Sequence, residues 1–266
     1  MTTADRSVPG TQSIDRALSL LSAFSPERPR QRVADLVAAT GLGQSTVSRM
    51  VSAMTALGFL RHHPQTGMYS LGAEVVNLAG IMLNDHPVHS AARQVAQSLA
   101  ARLGTGVNVA ERADAHLSYL CNFEGADAPR NSTLIGRGGP LHATAMGKAL
   151  LIGKSQAEIT AILGSEFDRY TVHTITDVDA LADEVALVAE RGYATENEEL
   201  ALRRACIAAP IRDRSGEVVA AVSISGPLSV LRMNEREEEL AMILIEQADL
   251  ISTALGYVAR VAAVRV

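Results

Sequence analysis

The 266-residue chain has only two cysteines, Cys121 and Cys206. Two thiols build no disulfide framework, and their spacing matches no zinc motif. No apolar run is long enough to cross a bilayer, and no basic stretch followed by an apolar one opens the chain. A cytoplasmic location without membrane contact is therefore expected. Catalytic signatures are lacking too. There is no Gly-x-Ser-x-Gly elbow, no histidine pair with metal-ligand spacing and no internal repeat. Gly147-Lys148 looks like the end of a phosphate-binding loop, but His142 stands where glycine is required and Ala149 where Ser or Thr is required. A Cys206–His142 dyad would rest on those two residues alone. These absences argue against an enzyme and call for no cofactor and no metal.

Charge is unevenly distributed. Residues 1–71 hold seven Arg, no Lys and four acids, a balance of +3, whereas residues 72–266 hold 17 basic and 25 acidic residues, a balance of −8. A basic head on an acidic body fits one DNA-binding domain joined to a domain with another task.

Within the basic head, Val33, Leu36 and Val37 fall at helical spacing, Thr40 to Gly43 break the pattern, and Val47, Met50, Val51, Met54 and Leu57 resume it. Gly41 can end the first helix in a left-handed conformation, with Leu42 tucked back between the two. The other face of the second helix carries Gln44, Ser45, Thr46, Ser48, Arg49 and Ser52, with no acid among them. Short hydroxyls and a guanidinium suit phosphates and base edges in a major groove. Phe59–His63 and Met68–Leu71 have strand character around a turn at Pro64–Gly67, and Gly67 sits where a left-handed hairpin residue is needed. A hairpin directly after a recognition helix is a wing, and its tip is expected to carry Arg61, His62 and His63. Upstream, Ser13 can cap a helix with Ile14, Ala17, Leu18, Leu21 and Phe24 on its apolar face, ended by Pro26 and Pro29. Arg28, Arg30 and Arg32 then lead into the second helix, as DNA-backbone contacts or as a solvated loop.

Leu71–Asn84 is a separate amphipathic segment with Val75, Leu78, Ala79, Met82 and Leu83, suited to pairing with a second copy or to packing on its own domain. Beyond it, helices are expected over 88–103, 145–152, 155–163, from Thr176 or Asp177 to Gly192 and from Asn234 to about Leu255. Strands are expected over 107–112, 117–123, 132–135, 193–197, 205–212 and 218–225. Mixed elements without strict alternation indicate an α+β sensor-like domain. The expected organisation is a polar, disordered 1–12, a winged helix-turn-helix domain over 13–71, a linker and dimerisation helix over 72–86, an effector-binding domain over 87–258 and a tail over 259–266.

Two places in the second domain could hold chemistry. The glycine-rich loop Gly136–Thr144, which includes Gly138, feeds a helix beginning at Ala145 and Met146, where backbone amides could meet a carboxylate. The strands over 205–212 and 218–225 place Ser223 and Ser225 on one face and Cys206 with Ala208 on a face of the neighbour, while Glu196 and Asn197 end the preceding strand. Read alone, these small residues could equally be packing under a helix.

SIDRALSLLSAF, GLGQSTVSRMVSAMTALGFLRHHPQTGMYSLG, RGGPLHATAMGKALL and CIAAPIRDRSGEVVAAVSISGP, in that order, resemble the IclR family of bacterial transcriptional regulators over nearly the full length. The resemblance implies an N-terminal winged helix, a linker helix and a C-terminal GAF-like effector domain. It implies a repressor or activator, commonly a homodimer or tetramer, on pseudo-palindromic double-stranded operator DNA. The positions matching the family's DNA contacts are Arg16, Arg32, Gln44, Thr46, Arg49 and Gly67. Gln44 departs from the basic residue common there, which exchanges a phosphate or guanine contact for an adenine preference. The positions matching the family's effector pocket are Ala145, Met146, Glu196, Cys206, Ser223 and Ser225. A zinc ion occurs in such pockets in the family and is not expected here. Glu196 is longer than the Asp often found at its position and narrows the space. A small carboxylate effector is implied. The rival readings are a metabolic enzyme with a structural helical N-terminus and a ligand-independent dimerisation module.

Overall fold

The computed structural model describes residues 11–128 and 133–258, so residues 1–10 of the N-terminal tail, Ser132 and the tail 259–266 lie outside the described residues. The chain divides into two compact units, Met1–Met82 and Leu83–Val266, with the division inside the linker helix.

In the first unit, α1 (Gln12–Ser22), α2 (Val33–Thr40) and α3 (Gln44–Ala56) are followed by an antiparallel hairpin, β1 (Leu60–His63) and β2 (Met68–Leu71). Leu20, Leu36, Val47, Val51, Met54 and Leu60 form its core. Gly41 ends α2 at φ +69°, and Gly67 closes the hairpin at φ +66°. Both are left-handed conformations that an L side chain would strain. Three details differ from the periodicity. Ser13 lies inside α1, where Thr11 is the N-cap and makes no side-chain capping bond. Ile14 and Leu18 are more than half exposed, and Leu20 is the residue α1 buries. Leu57, just past α3, is exposed.

The linker helix α4 (Ala73–Asp85) buries none of its residues. Its start is tied to the hairpin unit by Gly72 N donating to Phe59 O at 2.8 Å and Glu74 N to Gly58 O at 3.2 Å.

The second unit is built on one antiparallel sheet of six strands in the order β5-β4-β3-β8-β7-β6. The strands are β3 (Gly106–Ala113), β4 (His116–Glu124), β5 (Gly138–Pro140), β6 (Ala194–Asn197), β7 (Arg204–Arg212) and β8 (Val218–Pro227). Helices α5 (Pro87–Leu103) and α10 (Met233–Ala254) cover one face, against Val107, Val109, Ile207, Ala209, Val222 and Ile224. On the other face α6 (Ala145–Leu150), α7 (Gln156–Leu163) and α8 (Val178–Arg191) pack on Ala110, Cys206, Ala208 and Ala221. The alternation along β7 and β8 thus sorts large side chains to one face and small ones to the other. The short α9 (Leu228–Leu231) precedes α10.

Two expectations for this unit are corrected. Thr133–Ile135 form no strand, and the edge strand is Gly138–Pro140, pairing with 116–118. Proline is tolerated there because an edge strand needs hydrogen bonds on one side only. Asn234 does not cap α10. Arg232, at φ +49°, precedes the helix and Asn234 is already inside it. The capping box of Ser155 with Glu158 and the cap by Asp177 are present.

Candidate functional site

The first surface is the exposed face of α3. Gln44, Ser45, Ser48, Arg49 and Ser52 are exposed together, Thr46 is half-buried, and the first turn holds no acid. No side-chain hydrogen bond or ion pair within the described residues engages Gln44 or Arg49. Arg16 on α1 is exposed, as is Arg32, whose backbone N–H donates to Asp35 at 2.8 Å and fixes the start of α2. Gly67 is exposed in the wing turn, and on the hairpin the His62 ring packs tilted against Tyr69 with ring centroids 4.7 Å apart. Arg61 and His62 lie on β1, and the tip itself is Pro64–Gly67. Hydroxyls, an amide and a guanidinium on one helix face, beside a hairpin, form a surface with donors for phosphate and base edges.

The second site is a cavity of about 270 Å³ between the sheet, including its edge strand β5, and α6. It brings together Gly138, Met146, Glu196, Cys206, Ser223 and Ser225 of the sequence-derived set. Ala145 is not on its wall but fully buried in the core behind it. Asn197 is exposed and lies off the wall. Nor does the cavity rest on a free helix end. Helix α6 has six residues, and Thr144 Oγ1 already accepts the Gly147 N–H at 3.0 Å. A side chain at 147 could not replace the glycine, because its Cβ would stand 2.2 Å from Leu141 O.

The floor is polar. Ser223 is fully buried, and its Oγ makes no hydrogen bond to a nitrogen or oxygen, its only polar partner being the weakly bonding Cys206 thiol. Ser225 Oγ accepts from Asn108 Nδ2 at 3.0 Å, and Asn108 Oδ1 accepts from Asn122 Nδ2 at 2.9 Å, a ladder across three strands. Glu196 Oε1 accepts from the N–H groups of Glu199 at 2.7 Å and Leu200 at 3.1 Å. Burial pushes the Glu196 carboxyl up to about 7 against the opposing pull of those two amides, with Glu199 raising it further and Lys148 lowering it. Burial, with Glu196 nearby, pushes the Cys206 thiol up to about 12, so it is not a ready thiolate. Burial likewise raises Tyr119 to about 12. Arg137 and Arg204, both exposed, stand at the mouth.

Asn108, Tyr119, Arg137 and Arg204 did not emerge from the sequence reading. Asn108 left a trace as the polar residue between Val107 and Val109. Behind the cavity, Lys148 is 2% exposed and donates to Thr195 O at 2.9 Å and Glu199 Oε1 at 2.6 Å. The Cys206–His142 dyad does not form, since His142 faces a separate cavity on the other side of β5. Among the described residues, no three His, Cys, Asp or Glu side chains converge as a metal site, and no helix is long and apolar enough to cross a membrane.

A winged helix-turn-helix unit joined to an α+β unit with a small polar cavity defines a DNA-binding transcriptional regulator with a sensor-type second domain. The family models agree. The IclR helix-turn-helix domain matches residues 13–64, and the bacterial transcriptional regulator IclR C-terminal domain matches residues 81–253. The chain belongs to the IclR family. It is 30% identical over 252 residues to the HTH-type transcriptional regulator XynR of Escherichia coli K12, covering 94% of this chain and 99% of that one. The crystal structure of a transcriptional regulator from Rhodococcus sp. RHA1 superposes with a TM-score of 0.83 at 27% identity, covering 92% of this chain and 98% of that one. An IclR homolog from Microbacterium hydrocarbonoxydans, solved in complex with 4-hydroxybenzoate, has a TM-score of 0.80 at 25% identity, covering 92% of this chain and 99% of that one.

Proposed function

We propose that this regulator binds double-stranded operator DNA as a cytoplasmic homodimer or tetramer, and that a small organic acid in the 270 Å³ cavity modulates that binding without being turned over. The observation carrying the ligand reading is the buried Ser223 hydroxyl, which has no nitrogen or oxygen partner and only the Cys206 thiol for company, beside Ser225, Glu196 and Tyr119. A thiol is a weak partner, so an acceptor on a ligand recovers part of the ~1–3 kcal/mol that an unsatisfied buried hydroxyl costs. The volume lies just below the ~300–1,000 Å³ of sites for drug-sized molecules, which selects a compact acid. The relative holding 4-hydroxybenzoate, an aromatic carboxylate, supports that class. A Cys206 thiol held near 12 and a histidine in another cavity support binding over catalysis.

On the DNA side, Arg16, Arg32, Gln44, Ser45, Thr46, Ser48, Arg49 and Gly67 form the proposed contact set. Arg49→Ala is expected to weaken operator binding by about 10- to 100-fold, the ~1–3 kcal/mol of a good side-chain contact to a base. Fluorescence anisotropy at fixed salt reads this out. An unchanged Kd would remove α3 from the major groove. The same titration, repeated with a panel of small carboxylates, tests the effector. One acid should shift the operator Kd for the parent protein and lose that effect in Ser223→Ala/Ser225→Ala. An effect that survives both substitutions would place the acid elsewhere.

For assembly, α4 leaves Val76, Leu78, Ile81 and Met82 exposed, at 72%, 48%, 67% and 53%. Leu78, Ile81 and Met82 share one face of the helix, an exposed apolar stripe that needs a cover, and a second copy of the chain supplies one on a two-half-site operator. Ile81→Glu is expected to raise the dimer dissociation constant by at least about tenfold, because a carboxylate would be desolvated in the interface. Sedimentation equilibrium measures it. A variant that dimerises like the parent would exclude this helix from the interface.

A further inference from the structure

The second cavity, of about 480 Å³, lies across β5 from the first and shares only Gly138, Gly139 and Pro140 with it. The rest of its polar and aromatic wall is His116, His142, Glu166, Phe167, Asp168 and Tyr170. His142 is 6% exposed and stacks on Phe167 and Tyr170, with centroids 4.9 and 5.8 Å away. Its Nε2 lies 3.0 Å from the carbonyl oxygen of Asp168. A carbonyl can only accept, so Nε2 carries the proton, and in the neutral ring Nδ1 is left as an acceptor. Burial pushes His142 below the ordinary histidine range, which keeps the ring neutral near pH 7.

Among the described residues, Nδ1 of His142 and the carboxylates of Glu166 and Asp168 have no hydrogen-bond partner. No Lys or Arg lines the cavity. The nearest arginine in sequence, Arg169, is turned to Thr176 Oγ1 at 3.3 Å. The wall therefore offers acceptors, negative charge and aromatic surface.

The wall is also fixed in place. Phe167 N donates to Thr176 O at 2.9 Å, and the N–H groups of Tyr170 and Thr171 donate to Thr174 Oγ1 at 3.1 and 2.8 Å. Thr171 Oγ1 donates to Glu198 O at 2.6 Å.

We propose that this cavity is a second ligand site, for a small primary ammonium ion bearing an apolar group. Glu166 and Asp168 supply the counter-charge, Nδ1 of His142 accepts one N–H, and Tyr170, 47% exposed, offers its ring to the apolar part or to the cation itself. An anion is disfavoured by the two carboxylates. A metal ion is disfavoured because the acidic and imidazole groups do not converge to ligation distance among the described residues. The inference does not depend on what occupies the first cavity.

Calorimetry on the full chain at about pH 8 tests it, with benzylammonium as probe and benzoate as its anionic counterpart. Saturable benzylammonium binding is expected, weakened at least roughly tenfold in Glu166→Gln/Asp168→Asn, as for a lost charge-assisted contact, and unchanged in Ser225→Ala. Asparagine at 168 keeps the backbone carbonyl that holds His142. Tyr170→Leu, at an exposed position, is a second variant expected to weaken binding severalfold should the double variant not fold. Absence of saturation in the parent would overturn the proposal. So would unchanged affinity in the acid-to-amide or tyrosine variants, or a loss confined to Ser225→Ala, which would put the cation in the first cavity.

Discussion

Replacing Lys148 by methionine is expected to destabilise the sheet-containing unit by about 3–5 kcal/mol, the cost of removing one partner from a buried ion pair. Lys148 Nζ lies 2.6 Å from Glu199 Oε1, 2.9 Å from Thr195 O and 3.9 Å from Glu184 Oε1. Glu184 retains Arg191 at 2.9 Å, but Glu199 has no second cation, and its Oε2 is already buried without a partner. The loss should appear as a fall of about 10 °C in the melting transition of that unit, followed by circular dichroism. Its pH dependence separates charge from packing. Burial already pushes the Glu199 carboxyl up, and Lys148 pulls part of that shift back. Without the lysine, Glu199 keeps its proton to higher pH, and a neutral carboxyl needs no counter-ion. The destabilisation should therefore be larger near pH 8 than near pH 5.5. Lys148→Met/Glu199→Met, which removes both charges, is expected to recover most of it. A loss equal at both pH values and not recovered by the double substitution would mean that Lys148 acts through packing alone.

Lys148 also shows where the sequence stops being informative. Gly147-Lys148 could be compared with a phosphate-binding loop and set aside, but nothing local pairs a lysine on α6 with a glutamate after β6. The pairing exists because β6 packs against α6, which brings the Thr195 carbonyl and the Glu199 carboxylate to Lys148 Nζ. What was legible was local: the helix-turn-helix, the wing turn at Gly67, the cap at Ser155, a helix start at Thr176 or Asp177, and the alternation that puts Ser223 with Ser225 on one face of their strand. That Cys206 shares that face follows only from the register of β7 with β8. What was not legible was non-local pairing. Asn108 reaches Ser225 only because β3 pairs with β8, across more than a hundred residues of chain. Tyr119 was hidden by a bulge. Strict alternation would put Leu117, Tyr119, Cys121 and Phe123 on one face of β4. The register instead jumps between Val109/Ala110, where Cys121 opposes Val109 and Tyr119 opposes Ala110. The extra residue, Leu120, joins Cys121 in the α5–α10 core, and Tyr119 is left facing the cavity.

The cavity's affinity for a carboxylate is expected to fall with rising pH, and Glu196 is the reason. Its carboxyl is held near 7, and one oxygen is engaged by the amides of Glu199 and Leu200. Below that value the group is neutral and can donate its proton to an anion. Above it, a second negative charge sits in a buried site with Cys206 and Tyr119, both still protonated, and with Lys148 already committed to Glu199. An acid that is ionised throughout should bind with nearly constant affinity up to about pH 6.5, then lose roughly tenfold per unit above 7, the slope of one linked proton. Folding follows the same proton. A carboxyl raised from 4.5 to about 7 binds its proton more tightly in the folded state. Its contribution is complete below the ordinary carboxylate range and is lost as pH rises through 7, by about 3 kcal/mol at most. Glu196→Gln keeps an acceptor for the two amides and a donor for the ligand at every pH. It should flatten the calorimetric affinity profile and stabilise the unit near pH 8. An affinity profile as steep in Glu196→Gln as in the parent would assign the linked proton to another group and leave Glu196 a purely structural acceptor.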